Sequence, residues 1–154
     1  MTSFSDLAEL FIKILSKSNK YEKKSRTYGT DDMLYAFEIH TIEMIGRNPE
    51  INGVQLAKKT GVTKGAISQV TKKLIKRGYI IKFNDPGNNK EFKFKLRNKG
   101  ELAFEIHKKK YQNMNIELKK RYDLATENEI KFIFDIFSIM NEEIGKELIN
   151  SENN

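Results

Sequence analysis

The stretch NGVQLAKKTGVTKGAISQVTKKLIKRG, Asn52 to Gly78, decides the fold. Leu56 and Ala57 precede Gly61-Val62, and Ile67 and Val70 follow. That spacing is the apolar skeleton of a helix-turn-helix. Two short helices cross steeply only if a small residue, Ala57, lets their backbones approach and Gly61 takes the left-handed turn conformation. Asn52 with Gln55 predicts a reciprocal cap for a helix over 53–60. Thr63 caps a second helix over 64–77, which Gly78 ends. Downstream the apolar period falls to two. Tyr79-Ile80-Ile81-Lys82-Phe83 and Phe92-Lys93-Phe94-Lys95-Leu96 alternate around Asp85-Pro86-Gly87-Asn88-Asn89, which predicts a β-hairpin.

The charge sits in the same place. Residues 52–99 hold 13 Lys or Arg against Asp85 and Glu91, a local excess of +11, while all 154 residues sum to only +7. Residues 1–51 are close to neutral, and residues 121–154 set 3 basic against 8 acidic side chains. A basic middle of this kind presents one face to a polyanion. The chain has no cysteine, which excludes disulfides, thiolate metal sites and thiol redox sensing. MTSFSDLAELFIKIL at the start lacks a basic leader region, and no run reaches the roughly 18 apolar residues of a membrane span. The expectation is a soluble cytoplasmic protein with no membrane partner.

The flanks read as helices. Phe4, Leu7, Ala8, Phe11, Ile14 and Leu15 predict an amphipathic helix over 3–18, followed by a polar loop from Lys17 to Gly29. Thr30-Asp31-Asp32 reads as the start of a helix running from Met33 to Arg47, stopped by Asn48-Pro49. One long helix is expected from Lys99 to about Tyr122. Another follows a Thr126–Glu129 capping box and runs over 127–150. In that last helix Phe132, Phe134, Ile136 and Ile139 widen the apolar stripe past half the circumference. Leaving it wet would cost about 25 cal/mol per Å², so a homodimer is expected. The fold class is mainly α with a small β-hairpin (α+β).

This order of elements resembles the MarR family of winged-helix transcription regulators. The likeness is closest from EIHTIEMIG (38–46) through LRNKG (96–100). VTKGAISQVTKKLIKRGYI matches the family's recognition-helix segment, and NNKEFKFKL sits where its wing lies. The resemblance implies a single domain over 1–154. Residues 30–98 would form the winged DNA-binding part, and 1–29 with 99–154 the dimerisation part. It also implies binding to a pseudo-palindromic double-stranded DNA operator, with two recognition helices about one DNA turn apart. Two departures stand out. The family's wing tip commonly pairs an acidic residue with arginines, whereas here it reads Asn88-Asn89-Lys90, suited to gripping the backbone. The usual Leu-Thr opening of the next helix reads Leu96-Arg97-Asn98, with Asn98 in the capping role.

A helix in the major groove presents its first turns to base edges. With Ala66, Ile67, Val70, Leu74 and Ile75 assigned to the core, the outward set is Thr63, Lys64, Gly65, Ser68, Gln69, Thr71, Lys72 and Lys73. Gln69 suits adenine, Lys64 guanine or a phosphate, and Gly65 close backbone approach. Lys58, Lys72, Lys73, Lys76 and Arg77 read as electrostatic anchors. The resemblance further implies a small aromatic effector, for which Tyr35, Phe37, His40, Phe104, His107 and Tyr111 are the candidate lining. Some members bind zinc between the corresponding helices. Here Tyr111 stands where a second histidine would follow His107, and Glu38 and Glu105 are the nearby acids. Zinc generally takes three firm ligands, so no metal or cofactor site is assigned. A metal-responsive regulator and a protein-docking winged helix remain the alternatives. With two histidines, no cysteine and no glycine-rich phosphate loop, nothing points to an enzyme.

Overall fold

The computed structural model describes residues 3–85 and 88–152, and their side chains except at 85, 88–91, 114, 148–149 and 151–152. The chain separates into two compact units, residues 1–111 and 112–154.

In the first unit, α1 (Phe4–Glu22) opens on a capping box in which Ser3 and Asp6 satisfy each other's backbone N–H. It runs four residues past the expected end at 18. Lys17 to Glu22 contains no glycine or proline, so nothing in it breaks the helix. None of its residues is buried. The following loop is closed by two backbone bonds between Arg26 and Leu34, each 2.9 Å, around Gly29 at φ +70°.

α2 (Ala36–Arg47) begins later than expected. Its cap is Tyr35, whose N–H donates to Glu38 Oε2 at 2.9 Å. Thr30-Asp31-Asp32 lies in bends ahead of it. Asp32 is engaged elsewhere: Lys99 Nζ donates to Asp32 Oδ2 at 2.6 Å.

The helix-turn-helix follows as read. α3 (Gly53–Thr60) carries the Asn52–Gln55 box, with bonds of 2.8 and 3.1 Å, and ends on Gly61 at φ +69°. α4 (Lys64–Lys76) is capped by Thr63. β1 (Ile80–Asp85) and β2 (Asn88–Leu96) pair antiparallel with Ile80 opposite Leu96, and the register shifts between Asn84 and Asp85. Phe94 N also donates to Ile51 O at 3.0 Å, which ties the wing to the segment ahead of α3.

The core lies where these pieces meet. Leu34, Ile42, Leu56, Leu74, Tyr79 and Ile80 are fully buried. α5 (Asn98–Met114) closes over it through Ala103. Glu101 N donates to Arg97 O at 2.8 Å, so Arg97 accepts the first helical bond and Asn98 lies inside the helix, not at its cap.

The second unit holds α6 (Ile116–Leu124) and α7 (Glu127–Glu152). The single helix expected over 99–122 is therefore two. Asn115 leaves the helix at φ −101°, ψ 7°, within the run Asn113-Met114-Asn115, whose asparagines are weak helix formers. Thr126 and Glu129 form the expected capping box ahead of α7, with bonds of 2.7–3.3 Å. Phe132, Phe134, Phe137 and Ile139 are each more than half exposed. No helix among the described residues is long and apolar enough to cross a membrane.

Candidate nucleic-acid interface

α4 hangs on the core by Ile67, Val70 and Leu74, all buried. That rotation sets what points outward. Thr63, Lys64, Gly65, Ser68, Gln69, Lys72 and Lys73 are exposed, as the helical spacing predicts. Thr63 Oγ1 accepts from Ala66 N at 3.2 Å, which leaves its O–H free to donate. A Cβ at Gly65 would meet only Thr63 Oγ1, at 3.8 Å, so the backbone there is open to an approaching surface.

Thr71 departs from the outward set. It is 4 % exposed, and its hydroxyl donates to Ile67 O at 2.7 Å within its own helix. Thr71 lies four residues after Ile67 and three before Leu74, so it belongs to the buried stripe, and it is removed from the candidate readers. Ile75 errs the other way, at 37 % exposure where the core was expected. It helps line a groove of about 340 Å³ between α3, α4 and the wing, with Val54, Ile67, Phe92 and Phe94 on the apolar side and Lys64, Lys72 and Lys82 among its polar residues. Lys82 Nζ stands 3.4 Å above the Phe92 ring. Asn88, Asn89 and Lys90 lie on the backbone of β2, but their side chains fall outside the described residues.

Arg77 is not the free anchor that the sequence suggests. Its Nη1 donates to Glu38 Oε1 at 3.1 Å and its Nη2 to Met33 O at 2.7 Å. Its Nε lies 3.5 Å from Asp32 Oδ2.

The six candidate effector residues fall into three settings and not one lining. Tyr35 and Phe37 border a cleft against α4, together with Gln69 and Lys73. Phe104 packs on the core beside Gly46, where a Cβ would stand 3.0 Å from its ring. His40, His107 and Tyr111 meet by their rings, His40 edge-on to His107 with centroids 5.6 Å apart and Tyr111 tilted against His107 at 5.8 Å.

His107 is 2 % exposed. Burial pushes its pKa below the ordinary histidine value against the pull of Glu43, so the ring is neutral. Glu43 Oε2 stands 3.4 Å from Nδ1 but outside hydrogen-bonding geometry, which leaves Nδ1 buried and unbonded. His40, Glu43 and His107 bring one ligand atom each to within 4.8 Å of one another. Two imidazoles and a carboxylate are a donor set that zinc accepts, with a fourth position open. Glu43, and not Glu38 or Glu105, completes this group. Its place one helical turn after His40 is the signal that sequence reading passed over.

Residues 34–92 match the MarR family model. The HTH-type transcriptional regulator YhjH of Bacillus subtilis is 27 % identical over 144 residues, covering 86 % of this chain and 82 % of YhjH. Among solved structures, FabT of Streptococcus pneumoniae in complex with DNA superposes at TM-score 0.67 and 22 % identity, covering 94 % of this chain and 99 % of FabT. The zinc-responsive MarR family member ZitR of Lactococcus lactis gives TM-score 0.66 at 15 % identity, covering 92 % and 99 %. The matched segment contains α2, the helix-turn-helix and most of the wing, so the chain carries a MarR family domain over residues 34–92.

Proposed function

We propose that this chain is a sequence-specific DNA-binding regulator that works in the cytoplasm as a homodimer and represses until an effector releases it. It acts by binding and not by catalysis. One observation carries the reading: the +11 of residues 52–99 coincides with the helix-turn-helix and hairpin, and Lys64, Ser68, Gln69 and Lys72 stand exposed together on α4. A protein-docking winged helix would present a more apolar face. The likeness to FabT, solved with DNA, supports the same reading.

Gln69 is assigned to base readout and Lys72 to phosphate. On the preferred duplex Gln69→Ala loses about 1–3 kcal/mol and relaxes one base preference, whereas Lys72→Ala weakens all sequences alike and lowers the salt slope by about one. Titration of both variants on preferred and scrambled duplexes over a salt series measures this. Equal losses everywhere would refute the division of roles.

His40, Glu43 and His107 favour a second reading, in which the release signal is a metal ion. ZitR, described as zinc-responsive, shares the fold. Zinc added to chelator-treated protein then raises the melting temperature through preferential binding to the folded state, and Glu43→Gln abolishes the rise. An unchanged melting curve with zinc removes this reading and leaves the small aromatic effector.

A further inference from the structure

We propose that Arg77 and Glu38 form a strut that fixes the tilt of the recognition helix, so that both are positioning residues for sequence readout while touching no DNA. This rests on the DNA-binding reading above.

Arg77 stands at the C-terminal cap of α4, and its guanidinium turns inward onto the start of α2. Its three nitrogens all face one wall, formed by Glu38, Met33 O and Asp32. Glu38 is 6 % exposed and uses both oxygens: Oε1 accepts from Arg77, and Oε2 accepts the Tyr35 N–H that caps α2. One carboxylate thereby fixes the first turn of α2 and the last turn of α4 together. Asp32 is shared with Lys99, which joins the first turn of α5 to the same node. The Tyr79 ring lies beneath both cations, at 5.4 Å from the Arg77 guanidinium and 4.9 Å from Lys99 Nζ, and its hydroxyl meets Thr30 Oγ1 at 2.8 Å.

An open cleft of about 370 Å³ runs between α2 and α4, lined by Tyr35, Phe37, Ala66, Gln69 and Lys73. Gln69, the assigned base reader, borders it. A planar fork bonded to two acceptors fixes distance and plane together, which a lysine ammonium does not.

The sign of charge separates positioning from direct contact. Removing an acid from a DNA-binding protein tightens binding through the field. If Glu38 acts by holding Arg77, its removal weakens binding instead. The test uses a duplex that the wild-type protein enriches from a random library, a scrambled duplex, and the variants Arg77→Gln, Arg77→Lys, Glu38→Gln and the Arg77→Gln/Glu38→Gln pair. Active fractions come from stoichiometric titration, so that partial unfolding is separated from affinity. Both single Gln variants should lose about tenfold on the enriched duplex and under about twofold on the scrambled one, with the salt slope unchanged. The pair should be no worse than the weaker single variant, and Arg77→Lys should not restore binding. Equal loss on both duplexes with a shallower salt slope, or unweakened binding by Glu38→Gln, would make Arg77 a phosphate contact and overturn the proposal. Loss confined to the active fraction would overturn it too, as mere fold support. Failure of the wild-type protein to enrich any duplex is a distinct result, which removes the DNA reading itself and this proposal with it.

Discussion

Gly100 stands where no side chain fits. A Cβ there would lie 2.1 Å from Tyr79 O, a backbone atom with no freedom to withdraw, because Arg97 N already donates to it at 2.9 Å. Gly100→Ala should therefore destabilise by about 1–3 kcal/mol through overpacking, read from urea unfolding. Gly145 in α7 is the control. A Cβ there meets nothing within 4 Å, so Gly145→Ala should gain about 0.5–1 kcal/mol from helix propensity. Similar results at both glycines would contradict the packing of α5 on the hairpin. At this scale the sequence was legible where a residue's partner lies within a turn of it. Thr63 declared itself a cap because it sits at a helix start, and Gly61 a left-handed turn because it follows one. Glu43 was passed over and Arg77 misjudged because their contacts, His107 and Glu38, lie 64 and 39 residues away in sequence.

The same rule governs the elements. The caps at Asn52 and Thr126 match their sequence reading, since both are made by groups three residues apart. Thr126→Ala removes the hydroxyl's half of the α7 box, in which Oγ1 accepts from Glu129 N and donates to Glu129 Oε2, and leaves the Thr126 N–H bonded to Glu129 Oε2. A loss of about 1 kcal/mol is expected for that cap, measured as reduced denaturant stability or as faster amide exchange over 127–130. Exchange as slow as in the wild-type protein would show that the start of α7 is held by something else. The start of α2 was misplaced for the converse reason. Thr30-Asp31-Asp32 has the composition of a helix start, yet Asp32 is held by Lys99 and Arg77, and Thr30 by Tyr79, all remote in sequence. The break at Asn115 was overlooked because the apolar stripe from Ala103 to Tyr122 keeps its period through it, and a periodicity argument does not weigh the low helix propensity of two asparagines.

For the whole molecule, apolar surface is the dominant quantity. In the first unit α1 exposes Phe4, Leu10, Ile12 and Ile14, each more than half accessible. In the second, α6 and α7 expose Leu118, Leu124, Phe132 and Phe134 to the same degree or more. Helices of this kind are stable only when covered. Sedimentation at micromolar concentration should therefore give a dimer, and Phe134→Glu should shift it toward monomer; a monomeric wild-type protein would refute the assembly. A homodimer has a consequence for anyone who would retarget this regulator. Each codon changed in α4 rewrites both halves of a palindromic operator at once, so a library in one gene explores symmetric target sites with no second partner to co-evolve. Thr71 has to be left constant in such a library. Its hydroxyl is spent on the Ile67 carbonyl inside the core, so randomising it discards folded members without adding a single new letter to the reading alphabet.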